Sequence, residues 1–150
     1  MSTVDEVVQR AAEVLNDPNH DRWTYSNMVE WVNQGISAIC NLYPPAHIEK
    51  LDLPLVAGAV QSLDASYNLF IRGLYNKIGG VTQGKTPVFG DLESVTLINP
   101  SWMSATPADE IDEVMYDPKT PHTFFVYPPQ PAATTNTLYA EVATNPGLKV

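Results

Sequence analysis

Between residues 24 and 43, reading TYSNMVEWVNQGISAICNLY, the apolar positions Met28, Val32, Ile36, Ile39 and Tyr43 recur at gaps of four, four, three and four. That spacing places them on one face of a helix. Thr24 is placed to cap its start by accepting a free backbone N–H. Gly35, beside the stripe, leaves room for another backbone to come close. Pro44 and Pro45 end the helix, since proline lacks the donor and biases its predecessor away from helix. Upstream, Thr3-Val4-Asp5-Glu6 forms a capping box, with two acids at the positive end of the helix dipole. Val4, Val7, Val8, Ala11, Val14 and Leu15 follow at a period near 3.6 and predict a second amphipathic helix ending near Asn16-Asp17-Pro18. The link over 17–23 is short, so the pair reads as an antiparallel hairpin with Trp23 plugging its open end.

After residue 46 the period changes. Leu51, Leu53 and Leu55 alternate with Asp52 and Pro54, which predicts an edge strand because of Pro54. Residues 60–63 are expected to pair with it across Ala57-Gly58-Ala59. The stretch 66–78 is mixed and reads as strand over helix. Residues 79–89 read as a loop, and 91–98 as one or two helical turns ended by Asn99-Pro100. Trp102 sits in a turn-rich segment. Three strands complete the pattern: one over 111–116, one over 124–127 ended by Pro128-Pro129, and one over 138–143. The expected class is α+β, a helical hairpin over 1–45 packed with a β-rich, loop-rich part over 46–150 of the same domain.

Composition narrows the functions. The chain of 150 residues has a net charge of -9, from 8 basic against 17 acidic residues. Sequence-reading DNA-binding domains present a basic face, so that class is disfavoured. A wall that DNA slides past is not, because acidic lining repels phosphate. The 13 prolines gather mostly in the second half and favour short strands and turns. The single Cys40 excludes an internal disulfide. The acidic N-terminal helix is not a secretory signal, and no apolar run reaches the roughly 18 residues of a membrane span.

Candidate chemistry is sparse. Gly79-Gly80-Val81-Thr82-Gln83-Gly84-Lys85-Thr86 spells the phosphate-loop pattern GxxxxGK[ST]. A phosphate loop needs a buried strand before it and a long helix directly after it. Here Pro87-Val88-Phe89-Gly90 follows, so a hairpin loop is favoured over a nucleotide site. Asp109-Glu110-Ile111-Asp112-Glu113, with Asp117, offers carboxylates for calcium or for a glycosidase pair, but lacks the glycine and spacing of an EF-hand loop. A solvated acidic edge is the expectation. His20, His47 and His122 have no metal-ligand spacing and are expected at the surface. Cys40 is expected buried and inert. Trp23, Trp31 and Trp102 suit packing plugs, with stacking on sugars or bases as the alternative. No catalytic, cofactor-binding or metal residue is assigned.

Several blocks together resemble the head-to-tail adaptor (connector, or neck) proteins of short-tailed bacteriophages. They are DPNHDRWT at 17–24, Glu30-Trp31-Val32-Asn33-Gln34-Gly35, LVAGAVQSL at 55–63, Asn99-Pro100-Ser101-Trp102, Tyr116-Asp117-Pro118, and Phe124-Phe125-Val126-Tyr127-Pro128-Pro129. The resemblance implies a ring of about twelve copies under the portal vertex, continuing the DNA channel and seating the tail nozzle. It implies no enzyme activity and no cofactor. The implied partners are other copies, portal protein and a nozzle or tail-tube protein, with DNA passing unbound and no membrane. The implied place is the virion neck, assembled in the host bacterial cytoplasm. The family often adds a C-terminal segment reaching the portal; here Val150 comes just after the last expected strand. The loops over 77–89 and 130–137, polar and rich in glycine or proline, are expected to be interface loops. The rival reading is a small carbohydrate-binding or glycan-hydrolysing β-domain, which would gather aromatics on its surface.

Overall fold

The computed structural model describes residues 3–117 and 119–146. The expectations for 1–45 and 46–150 therefore include a few residues, among them Pro118 and 147–150, that lie outside the described set. The chain divides into two compact units, one of 1–43 with 145–150, the other of 44–144.

In the first unit, α1 (Val4–Val14) and α2 (Tyr25–Leu42) form the expected pair. The capping box is present in both directions, with the Glu6 amide donating to Thr3 Oγ1 and the Thr3 amide to Glu6 Oε2, each at 3.2 Å. Thr24 Oγ1 accepts from the Asn27 amide at 3.3 Å and caps α2. Val8, Ala12 and Met28 are buried, with Val4, Trp23, Val29 and Val32 packed around them. The buried strip is narrower than the apolar stripes predict. Val7, Val14, Leu15, Ile39 and Tyr43 are exposed, and Cys40 is buried instead of Ile39. Two crossing helices need only a short strip of contact. Gly35 has open space around it, so no backbone uses the close approach expected there.

The link between the helices is organised by Asp17. Asn16, at φ 55°, ends α1, and the Asp17 amide reaches back to the Ala12 carbonyl at 2.9 Å, a left-handed helix stop. The Asp17 carboxylate then accepts from the amides of Asp21 at 2.9 Å, Arg22 at 3.1 Å and Trp23 at 2.8 Å. One side chain thus pairs three backbone donors that the turn leaves free. The amide of Trp23 above all, then those of Arg22 and Asp21, hold its pKa below the ordinary value, against the opposing effect of burial. Trp23 is half-buried at the turn and meets Trp31 edge-on at 5.3 Å.

The second unit stacks two sheets. The first has strand order β1 (Ile48–Pro54), β8 (Thr137–Thr144), β3 (Tyr67–Ile78), β4 (Thr82–Gln83), all antiparallel. The second runs β2 (Gly58–Ser62), β7 (Thr123–Gln130), β6 (Glu113–Tyr116), β5 (Val88–Gly90), with β5 and β6 parallel. Their inner faces share one core, including Leu53, Leu138, Ala140 and Val142 from one and Val114, Phe124 and Val126 from the other. Phe70 on β3 stacks on Phe124 at 4.8 Å and 9°. A third layer, α3 (Leu92–Ile98) and a 3-10 turn (Trp102–Ser104), covers the other face of the second sheet. There Trp102 packs with Ala59 and Met115, and meets Phe125 edge-on at 6.0 Å.

The α+β class holds. The strand preference for 66–78, the helix over 91–98 and the strand over 138–143 also hold. Three details differ. Residues 60–63 do not pair with β1; β1 and β2 lie in opposite sheets. Gln61 redirects the chain between them, donating to the carbonyls of Val56 at 2.8 Å and Gly58 at 3.0 Å and accepting from the Val56 amide. The stretch 79–89 is not all loop, since it holds β4 and most of β5. Pro128-Pro129 does not end β7. The register jumps from Val60↔Phe125 to Gly58↔Gln130, so the prolines fall in a bulge that asks for no N–H. β3 looked ambiguous because three register shifts against β8 reset its alternation. Pro54 does lie on an edge strand, as expected.

Because the folded pKa of Asp17 lies below its unfolded one, the carboxylate stabilises the hairpin above the unfolded value, near 3.8. That contribution is lost as pH falls through the lowered folded value. Asp17→Ala is expected to melt several degrees below the parent at neutral pH. The difference, followed by far-UV circular dichroism, should narrow on acidification.

Candidate functional site

The motif at 79–86 folds as a hairpin end and a return loop. Gly79 and Gly80 occupy the turn at φ 61° and 73°, a left-handed pair that glycine adopts without strain. Ile78 pairs with Thr82 and Lys77 with Gln83 on either side. No helix follows Thr86; the chain enters β5. Lys85, which a phosphate loop would aim at its ligand, is instead ion-paired to Asp112, with Glu110 at 3.9 Å. The bond to Asp112 raises the lysine's pKa. Titration of the protein with magnesium and ATP is expected to give no saturable heat.

The acidic cluster spreads its side chains apart. Ile111 points into the core and is fully buried. Asp109 accepts from Asn136, Glu110 from the Lys85 amide, Asp112 takes Lys85, and Glu113 lines a hollow of about 310 Å³ with Val95, Ile98, Asn99 and Tyr127. Asp117 accepts from the Lys119 amide at 2.9 Å. Among the described residues no group of three or more His, Cys, Asp or Glu is placed to hold a metal ion. His122 is exposed, while His20 and His47 are half-buried; the edge of His20 meets Tyr25 at 5.8 Å. Cys40 is buried and free, as expected. Trp102 is a buried plug, 2% exposed, and its Nε1 donates to Thr96 Oγ1 at 3.2 Å. Trp31 is an exposed aromatic instead.

The polar side chains that matter most were not singled out from the sequence. Asn76, on β3, donates from Nδ2 to the carbonyls of Lys85 and Ile111, both at 2.9 Å, and accepts from the Ile111 amide at 2.9 Å. Asn136 donates to the Asp109 carbonyl at 3.1 Å and to Gln130 Oε1 at 3.1 Å, and accepts from the Gly79 amide at 2.8 Å. Gln130 donates to the Ala108 carbonyl at 3.1 Å. With Gln61 these are buried amides; Asn76, Asn136 and Gln130 serve backbone of distant segments, while Gln61 serves the connection just before its own strand. Their effect is to bring the 79–86 hairpin end beside the 130–137 loop. The only available signal was a polar amide inside or beside an apolar run.

Outside the core, apolar groups remain uncovered. Val88 and Phe89 on β5 are 65% and 54% exposed, and Leu97 and Ile98 on α3 are 81% and 84% exposed. On the outer face of the first sheet, Tyr75 and Tyr139 lie 4.8 Å apart, with Lys77 over both rings and held by Asp52 at 2.7 Å. A sugar platform would need those rings open. Arg72 and Lys50 both reach Glu141, at 2.7 and 3.6 Å. The bond from Arg72 above all keeps the Glu141 carboxyl below its ordinary pKa. No described helix is long and apolar enough to cross a membrane.

The second unit is thus a set of packed layers with loops tied together by buried amides. A family described as SU10 adaptor protein matches residues 2–148, and the chain belongs to that family. The resemblance to bacteriophage head-to-tail adaptors is thereby upheld. No curated protein matches the chain.

Replacing Asn76 by alanine leaves the N–H and C=O of Ile111 short of that partner inside the protein, while the Lys85 carbonyl keeps the Asn76 backbone amide at 2.9 Å. The expected loss of stability in urea unfolding is about 3 kcal/mol.

Proposed function

We propose that the protein is a structural component of the virion neck. In this reading it is a head-to-tail adaptor whose copies form a ring of about twelve between portal and tail nozzle, continuing the DNA channel. The observation that carries it is the family match over 2–148. Two physical features support it. The net charge of -9 gives a wall that repels phosphate, so DNA passes without adhering. The exposed apolar groups of β5 and α3 suit a subunit that is covered in its assembly.

The loops over 77–89 and 130–137 serve as interface loops toward a neighbouring copy, the portal or the nozzle. Gly79 donates to Asn136, so the two loops present a joint surface. The role needs no catalytic group, cofactor or metal. Assembly takes place in the host bacterial cytoplasm.

The test is sedimentation and negative-stain imaging of the purified protein, alone and with portal protein. Rings bound to portal are expected. A monomer that ignores portal and binds glycan would overturn the reading in favour of the carbohydrate-binding rival.

A further inference from the structure

The two outer faces of the second unit carry opposite charge. On the first sheet, Lys50 and Arg72 converge on the single carboxylate of Glu141. Two cations share one anion, so one positive charge is left over, and both basic side chains are more than half exposed (58% and 59%). Ile48, 43% exposed, shares that strand face with Lys50. Lys77 and Asp52 on the same face cancel.

The third layer is apolar and anionic. Glu93 stands one helical turn before the exposed Leu97, and Glu113 lies on β6 nearby. Neither makes an ion pair among the described residues. Asp91 and Asp117 share a neighbouring hollow with Glu93, where Lys119 offsets one charge. β5 is also a free sheet edge. The Val88 amide bonds to the Asp112 carbonyl at 2.7 Å, so by alternation the backbone of Phe89 turns to the open side.

We propose that a second copy of this chain covers this layer, seating the cationic outer face of its first sheet on the anionic surface of β5 and α3. The proposal rests on the ring reading and gives it a direction. Contact between two different faces repeats head to tail and closes into a ring when the rotation allows. Pairing two anionic faces would instead set Glu93 against like charge.

The experiment uses the full chain with Cys40 in place and the parent protein as control. Ile48→Cys and Leu97→Cys variants are oxidised separately and mixed. A cross-linked dimer in the mixture, absent from either variant alone, is expected. Glu93→Lys should weaken association about tenfold without changing the far-UV spectrum. Dimers within Leu97→Cys alone would overturn the proposal. Rings that form with no mixed cross-link and tolerate Glu93→Lys would overturn these faces and leave the ring intact. Absence of self-association, with or without portal, would overturn both.

Discussion

A buried backbone N–H or C=O must find a partner, and the second unit depends on how that requirement is met between its sheets. Connections that cross from one sheet to the other leave the ladders and lose their partners. Gln61, Asn76, Gln130 and Asn136 supply them from side chains. An amide is suited to this because it donates and accepts at once and carries no charge to desolvate. Each bridges backbone segments that the sheet ladders do not join. The core of Phe70, Phe124 and their neighbours provides the apolar burial. The amides determine which loops lie over it.

Much of the local structure was legible in the sequence. The caps Thr3 and Thr24 and the period of both helices rest on contacts a few residues long. What lay further apart was not legible. β1 and β2 look like a hairpin from their spacing, yet Gln61 sends them to different sheets. β5 is three residues long, and its parallel partner gives no local sign. The prolines at 128 and 129 are strand-breakers by rule and tolerated by a bulge. Phase shifts in β3 erased the alternation that would have marked it. Of the candidate site residues, Lys85 lies in a return loop and pairs with Asp112, a partner far along the chain, while the four amides passed unnoticed because their only local mark is a polar residue inside or beside an apolar run.

The blocks that carried the family resemblance now have physical roles. DPNHDRWT holds Asp17 and the amides it caps. LVAGAVQSL holds the Gln61 crossover. In Asn99-Pro100-Ser101-Trp102, the Trp102 amide donates to the Asn99 carbonyl at 3.0 Å, which sets the indole over the second sheet. All are places where the chain changes direction. Corners define a shape more tightly than straight runs do.

β8 occupies the middle of the first sheet, between β1 and β3, although among the described residues it comes after both in chain order. During synthesis the two flanking strands emerge long before the one that joins them. Until then the core lacks Leu138, Ala140 and Val142, and two strand edges stay open. The first sheet therefore closes only when β8 is in place, and its two flanking strands acquire their shared partner at the same moment.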